Sequence, residues 1–107
     1  MGFGMLELDR NNFDSIINTK GIVVVDFWAE WCEPCRRMLP IFDELSKEFG
    51  DKMLFGKVNI INEEEIAYRF GVMSIPTFLV FEGGVKIGEF HNAMSLEDFR
   101  EMLLDFV

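Results

Sequence analysis

The chain has 107 residues, with 10 Lys plus Arg against 19 Asp plus Glu, one His and two Cys, for a formal charge of −9. That length suits a single domain over residues 1–107 and leaves no room for a second. Half the residues are hydrophobic and 14% aromatic, which excludes a disordered acidic tail and supplies a core without a structural metal.

Negative charge of this size repels phosphate backbones and anionic lipid, so neither nucleic acid nor a membrane surface is an expected partner. No apolar run approaches the ~18 residues of a membrane-spanning helix. Residues 1–9 lack the basic start and long apolar stretch of a secretory signal. The expected setting is the reducing cytoplasm, with the chain acting as a monomer. A disulfide kept for stability is out of place there, so a cysteine pair calls for a chemical reason.

Apolar runs alternate with amphipathic segments, which predicts a sheet covered by helices. Residues 3–8 predict a short strand, and residues 9–18 a helix with Phe13, Ile16 and Ile17 on one face. Residues 22–29 are apolar at both parities, the pattern of a central strand buried on both faces. A helix is expected over residues 34–49, ended by Gly50 and kinked at Pro40, which removes a backbone donor. Residues 53–61 predict another strand. Asn62, with Glu65 three residues on, predicts the N-cap of a helix that Gly71 ends. Thr77–Glu82 and Val85–His91 flank Gly83-Gly84 as a hairpin. Ser95 and Asp98 start a last helix with Leu96, Phe99, Leu103 and Phe106 as its apolar stripe. The order is βαβαβαββα, an α/β sandwich around a mixed sheet.

The strongest chemical signal is Trp31-Cys32-Glu33-Pro34-Cys35, placed after the buried strand and at the opening of a helix. Three readings compete. A zinc site wants about four ligands, and His91 is the only other soft candidate. Two incidental core cysteines would sit oddly at a strand-to-helix junction beside polar residues. A redox dithiol fits the spacing: two intervening residues on a first helical turn bring the sulfurs within bridging reach. A helix N-terminus favours thiolate at Cys32 through its unpaired N–H groups and dipole, and thiolate is the attacking species in disulfide exchange. Pro34 suits an early helical position. Cys32 is then the nucleophile, and Cys35, one turn deeper, the resolving thiol. His91 also invites a Cys–His hydrolase reading, but the second cysteine already accounts for the first. The acidic run Glu63-Glu64-Glu65 reads as a solvated first helical turn.

The run Val25-Asp26-Phe27-Trp28-Ala29-Glu30-Trp31-Cys32-Glu33-Pro34-Cys35 resembles the active-site segment of the thioredoxin family. Pro40, Lys57, Ile75-Pro76-Thr77 and Gly83-Gly84 extend the resemblance over residues 22–95. It implies the thioredoxin fold, a central five-stranded mixed sheet flanked by four helices. It implies a protein-disulfide reductase that carries electrons on a reversible Cys32–Cys35 disulfide and binds no cofactor. An NADPH- and flavin-dependent thioredoxin reductase would recharge it, and its clients would be ribonucleotide reductase- or peroxiredoxin-type enzymes. A disulfide oxidase or isomerase, and a redox-silent binding subunit, are the alternatives.

Asp26 lies inside an apolar strand, where a carboxylate is costly unless paired or protonated. The bland reading is a hydrogen-bonded or locally solvated Asp. The resemblance implies a buried carboxyl of raised pKa that moves the Cys35 proton, with Lys57 as its charge partner. It also implies a cis bond before Pro76, facing the cysteines and exposing Ile75 to an extended partner segment. Trp28 reads as buried core beside the dithiol. Trp31 reads as half exposed, on a flat apolar docking surface with Pro34, Ile60, Ser74, Ile75 and Pro76, and with Asn92 and Ala93 at its edge.

Three positions depart from the family pattern. Glu33 replaces the usual Gly between the cysteines. Its carboxylate is expected to disfavour the Cys32 thiolate and make the pair more reducing, or to select basic partners. Asn92 stands where Gly is usual and is the next most tolerant residue of positive φ. Ser74 also replaces a common Gly.

Overall fold

Four β-branched residues in a row, Ile22–Val25, favour extended backbone, and the strand they begin is buried along its whole length. The structure, a computed structural model, describes residues 4–107. The elements are β1 (Met5–Glu7), α1 (Phe13–Ile17), β2 (Ile22–Trp28), α2 (Glu33–Glu48), β3 (Met53–Asn59), α3 (Glu64–Arg69), β4 (Thr77–Glu82), β5 (Val85–His91) and α4 (Leu96–Leu104). The five strands form one sheet in the order β1-β3-β2-β4-β5. β2 pairs parallel with β3 and antiparallel with β4, so the sheet is mixed, as expected.

Both parities of β2 are apolar because each face of the sheet has its own core. Val24 points into a cluster with Met38, Phe42 and Leu45 of α2 and Phe99 and Leu103 of α4. Its rings meet edge-on, Phe78 with Phe99 at 4.7 Å and Phe42 with Phe55 at 5.1 Å between centroids, the geometry that ring quadrupoles favour. Val23, Val25 and Phe27 point the other way, into a cluster with Phe13 and Ile17 of α1 and Ile66 of α3.

Several ends differ from expectation, each for a local reason. Of the strand expected over residues 3–8, residue 3 lies outside the described residues, and Leu8 extends the pairing by one bond to Lys57 O (2.9 Å). The first helix begins four residues late. Asp9 Oδ1 accepts from the N–H groups of Asn11 and Asn12 (2.8 and 3.0 Å), while Asn12 Oδ1 accepts from Asp9 N (2.8 Å). This side-chain-to-backbone turn competes with the helix. Asn62 does not cap α3. The N-cap is Glu63, whose carboxylate is held instead by Arg10 at 2.9 and 3.4 Å, so Glu63 is not a freely solvated member of the acidic run. Gly71 ends that helix at φ 64°, as expected. α2 runs through Pro40 as one element. Ser95 caps α4, accepting from Asp98 N at 3.1 Å. Phe106 lies beyond that helix but still packs against the core.

Gly56 of β3 is required by close approach. A Cβ there would stand 2.7 Å from Leu8 Cδ1, and Leu8 is itself only 1% exposed and cannot swing clear. Gly56→Ala is therefore expected to destabilise the fold by ~1–3 kcal/mol through overpacking. In urea unfolding, pairing it with Leu8→Ala should give a clearly non-additive cycle; strict additivity would refute this contact as the cause.

Candidate functional site

The topology gathers four chain segments at one end of the sheet. β2 and β3 run parallel, β4 runs against β2, and β5 runs against β4. The C-terminal ends of β2, β3 and β5 and the start of β4 therefore lie together. Every site residue expected beyond the strands sits on these segments: Trp31–Cys35 after β2, Ile60 after β3, Ser74–Pro76 before β4, and Asn92–Ala93 after β5. Backbone bonds tie them, Ile60 N to Trp28 O (3.0 Å) and Asn92 N to Pro76 O (3.1 Å).

Cys32 is the N-cap of α2, with extended backbone (φ −88°, ψ 108°) and Pro34 just inside the helix. Its sulfur accepts from the Cys35 N–H at 3.3 Å, filling one of the donors a helix start leaves unpaired. Cys32 and Cys35 form a disulfide, with Cα atoms 5.2 Å apart. Cys32 is 6% exposed and Cys35 fully buried, so what access there is belongs to Cys32. The Arg36 guanidinium donates to Glu30 O (2.9 Å) and steadies the loop that carries Trp31. The Ile75–Pro76 bond is cis, and Ile75 O lies 3.9 Å from Cys32 Sγ.

Trp31 is exposed (67%), while Trp28 is buried against Ala29 and both cysteines. Two exposed apolar residues that the sequence reading missed join the same segments, Met73 (95%) beside Ser74 and Ile61 (55%) beside Ile60. The signal was the Ile60-Ile61 pair running past a strand end and a Met in a turn, neither distinguishable from core by composition. Asn92 has φ 76°, the positive value its place in the loop suggested, which glycine or asparagine accepts most readily.

Asp26 is fully buried at the centre of the sheet, between Lys57 of β3 and Phe78 of β4. Among the described residues, neither of its oxygens nor Trp28 Nε1 has a hydrogen-bond partner. Burial penalises the anion and pushes its pKa up to about 8, outweighing the opposing pull of the Lys57 charge. Lys57 shares the face but makes no contact ion pair with Asp26. Its ammonium stands 5.0 Å from the centroid of the Trp28 ring, a cation–π contact. A polar cleft of about 420 Å³ lined by Glu7, Asp9, Trp28, Glu30, Lys57, Asn59 and Glu63 opens beside that pair. Burial excludes an Asp26 carboxylate open to bulk solvent, and no protein group among the described residues hydrogen-bonds it. Among the described residues no three His, Cys, Asp or Glu are grouped to hold a metal.

A family model described as thioredoxin matches residues 4–105. The chain belongs to the thioredoxin family. It is 37% identical over 100 residues to a thioredoxin of Buchnera aphidicola subsp. Acyrthosiphon pisum (strain APS), covering 92% of this chain and 93% of that protein. It is equally 37% identical over 100 residues to a thioredoxin of Alicyclobacillus acidocaldarius subsp. acidocaldarius, covering 94% and 95%. A mutant thioredoxin from Halobacterium salinarum NRC-1 superposes with a TM-score of 0.88 at 20% identity, over 96% of this chain and 90% of that one, which shows the fold. Thioredoxins are protein-disulfide oxidoreductases that carry no cofactor, and this chain is a protein-disulfide reductase exchanging dithiol for disulfide at a C-x-x-C pair.

The raised pKa of Asp26 adds its own pH dependence to the stability. Below about pH 4 the carboxyl is protonated folded and unfolded, and it contributes no slope. Between about 4 and 8 the unfolded chain ionises while the folded one keeps its proton, so stability falls as pH rises, by up to ~1.4 kcal/mol per pH unit. Above 8 the loss is complete. Asp26→Asn should remove this slope. In urea denaturation it should gain on the parent between pH 4 and 8, by several kcal/mol in all. Parallel curves for the two proteins would contradict the assignment.

Proposed function

We propose that Cys32 is the attacking thiol, Cys35 the resolving thiol and Asp26 their proton store. The Cys35 N–H aimed at the Cys32 sulfur, with burial complete only at Cys35, carries this reading. A donor on that sulfur stabilises its anion. The Cys32 thiolate attacks one sulfur of a client disulfide, forming a mixed disulfide and releasing one client thiolate. Cys35, losing its proton to the Asp26 carboxylate, attacks the Cys32 sulfur. The Cys32–Cys35 bond forms, the mixed bond breaks, and the second client sulfur leaves with the electron pair; the client is reduced by two electrons and this chain oxidised by two. Asp26, whose pKa of about 8 lets both forms occur near neutrality, returns its proton to a departing thiolate. Lys57 acts on it as a field rather than as a contact, and the polar cleft beside Trp28 is the proton's way to solvent.

Docking is supported by the exposed apolar surface around Cys32. Trp31, Pro34, Ile60, Ser74 and Ile75 form it with Met73 and Ile61, and Asn92 and Ala93 border it; Pro76, expected on this surface, is buried beneath it because its ring packs inward at the start of β4. Its clients are extended segments carrying a disulfide, of ribonucleotide reductase- or peroxiredoxin-type enzymes. A thioredoxin reductase driven by flavin and NADPH returns the electrons. The 107 residues work as one domain, as a monomer, in the cytoplasm; no helix among the described residues is long and apolar enough to cross a membrane.

The experiment is alkylation of the reduced protein at pH 7 followed by mass spectrometry. Cys32 should label at least ~10-fold faster than Cys35, and Cys35→Ser should accumulate mixed disulfides with an oxidised client while Cys32→Ser accumulates none. Faster labelling of Cys35 would reverse the roles. A reduction potential of about −120 to −180 mV, the range of oxidising exchangers, would overturn the reductase direction.

Glu33 occupies the first helical position directly after Cys32 and is exposed. Its negative charge opposes a second one at the sulfur. Glu33→Gly should lower the Cys32 thiol pKa slightly, because a nearby negative charge is removed, and make the pair slightly less reducing. Thiolate absorbance against pH checks this; a higher pKa in the variant would end the idea.

A further inference from the structure

His91, the last residue of β5, joins a run of side-chain contacts that ends on the segment facing the cysteines. Its Nδ1 lies 2.9 Å from Thr77 Oγ1, and its Nε2 lies 2.9 Å from Glu89 Oε2. The Thr77 hydroxyl donates to Ser74 O at 2.6 Å. Glu89 Oε1 accepts from Lys86 Nζ at 2.6 Å. The residue after Ser74 is Ile75, whose carbonyl oxygen is the one 3.9 Å from Cys32 Sγ.

Counting hydrogens shows which form of the ring these contacts suit, if each is a hydrogen bond. A threonine hydroxyl has one hydrogen. A carbonyl cannot donate, so that hydrogen lies toward Ser74 O, and Oγ1 offers His91 only a lone pair. Nδ1 must therefore carry a hydrogen. Nε2 faces a carboxylate and must carry one as well. Glu89 stays ionised, held below the usual carboxylate range first of all by the Lys86 hydrogen bond. The arrangement is satisfied only by the imidazolium. When the ring loses one proton, the one left stays on Nε2, where the bond to the carboxylate is charge-assisted. Nδ1 then presents a lone pair to Thr77. The single hydroxyl hydrogen serves either Nδ1 or Ser74 O, and one bond is lost.

We propose that His91 is a positioning residue for disulfide exchange: as imidazolium it fastens the Ser74 carbonyl and the adjoining Ile75–Pro76 segment in the shape that receives a peptide disulfide, and as neutral imidazole it releases them. The proposal rests on the docking surface described above. Glu89 and, behind it, Lys86 are the charged groups facing the ring from β5. From β4, the one strand paired with β5, Thr77 is its cross-strand partner. Among the described residues no ion pair other than that with Glu89 reaches the ring.

Nitrogen NMR of the imidazole tests the hydrogen count in the intact protein without any variant. Both ring nitrogens should be protonated at low pH, and the neutral form should be the Nε2–H tautomer. A neutral Nδ1–H tautomer overturns the proposal, because Thr77 would then keep its bond to Ser74. The second arm measures KM for a short disulfide-bonded peptide between pH 5 and 8. It should rise about two- to tenfold across the ring's NMR titration in the parent and stay flat there in His91→Phe. Steps from Asp26 and the thiols occur in both proteins. Trp31→Ala should raise the same KM at every pH. A KM indifferent to Trp31 sinks the docking surface and this proposal with it; a KM that answers to Trp31 but not to the protonation of His91 sinks this proposal alone.

Discussion

A backbone N–H directed at a sulfur is the contact on which the chemistry of this molecule depends. Cys32 caps α2, and the Cys35 N–H reaches its Sγ at 3.3 Å. A helix start always leaves such donors unpaired. Here a cysteine takes the place of the usual Ser, Thr, Asp or Asn, so the group that completes the helix also belongs to the redox pair. In the disulfide form the helix has its cap, so the oxidised pair sits on intact secondary structure.

That cap is held in place by a strand that has nowhere to go. β2 is buried on both faces and both edges, between β3 and β4, with an aromatic cluster on each side. Such a strand delivers its C-terminal end, and the first turn of α2, to a fixed position. The same confinement makes Asp26 costly. Its carboxyl keeps a proton near neutrality because burial outweighs the attraction of Lys57, whose ammonium lies over the Trp28 ring. Stability is thus surrendered at one residue in the centre of the sheet, on the strand that leads into the cysteine pair.

The sheet's mixed direction does the remaining assembly. Because β4 reverses against β2 and β5 reverses again, the segments before β4 and after β5 arrive beside the cysteines. Ser74–Pro76 and Asn92 are tied to one another by a backbone bond and by the Thr77–His91 contact. The apolar surface around Cys32 is therefore made of four segments distant in sequence.

Much of this was legible in the residues. The element order, the doubly buried strand, the redox pair at a helix start and the uncomfortable carboxyl all follow from local pattern: apolar parity, cysteine spacing, and a charged residue in an apolar run. The places where reading failed are those where side chains chose partners across the fold. Asn62 and Glu65 look like a cap, but Arg10, more than fifty positions away, takes Glu63 and the turn closes differently. Asp9 and Asn12 look like helix and form a turn by bonding each other's backbone. Met73 and Ile61 look like core and are exposed. The amino-acid order by itself determined which groups can react and which strand must be buried, because hydrophobic periodicity and helix capping act over a few residues. Only the tertiary structure decided which of two thiols has access, how strongly Asp26 holds its proton, and which neighbours His91 serves, because burial and hydrogen-bond pairing are set by residues that meet only when the sheet closes.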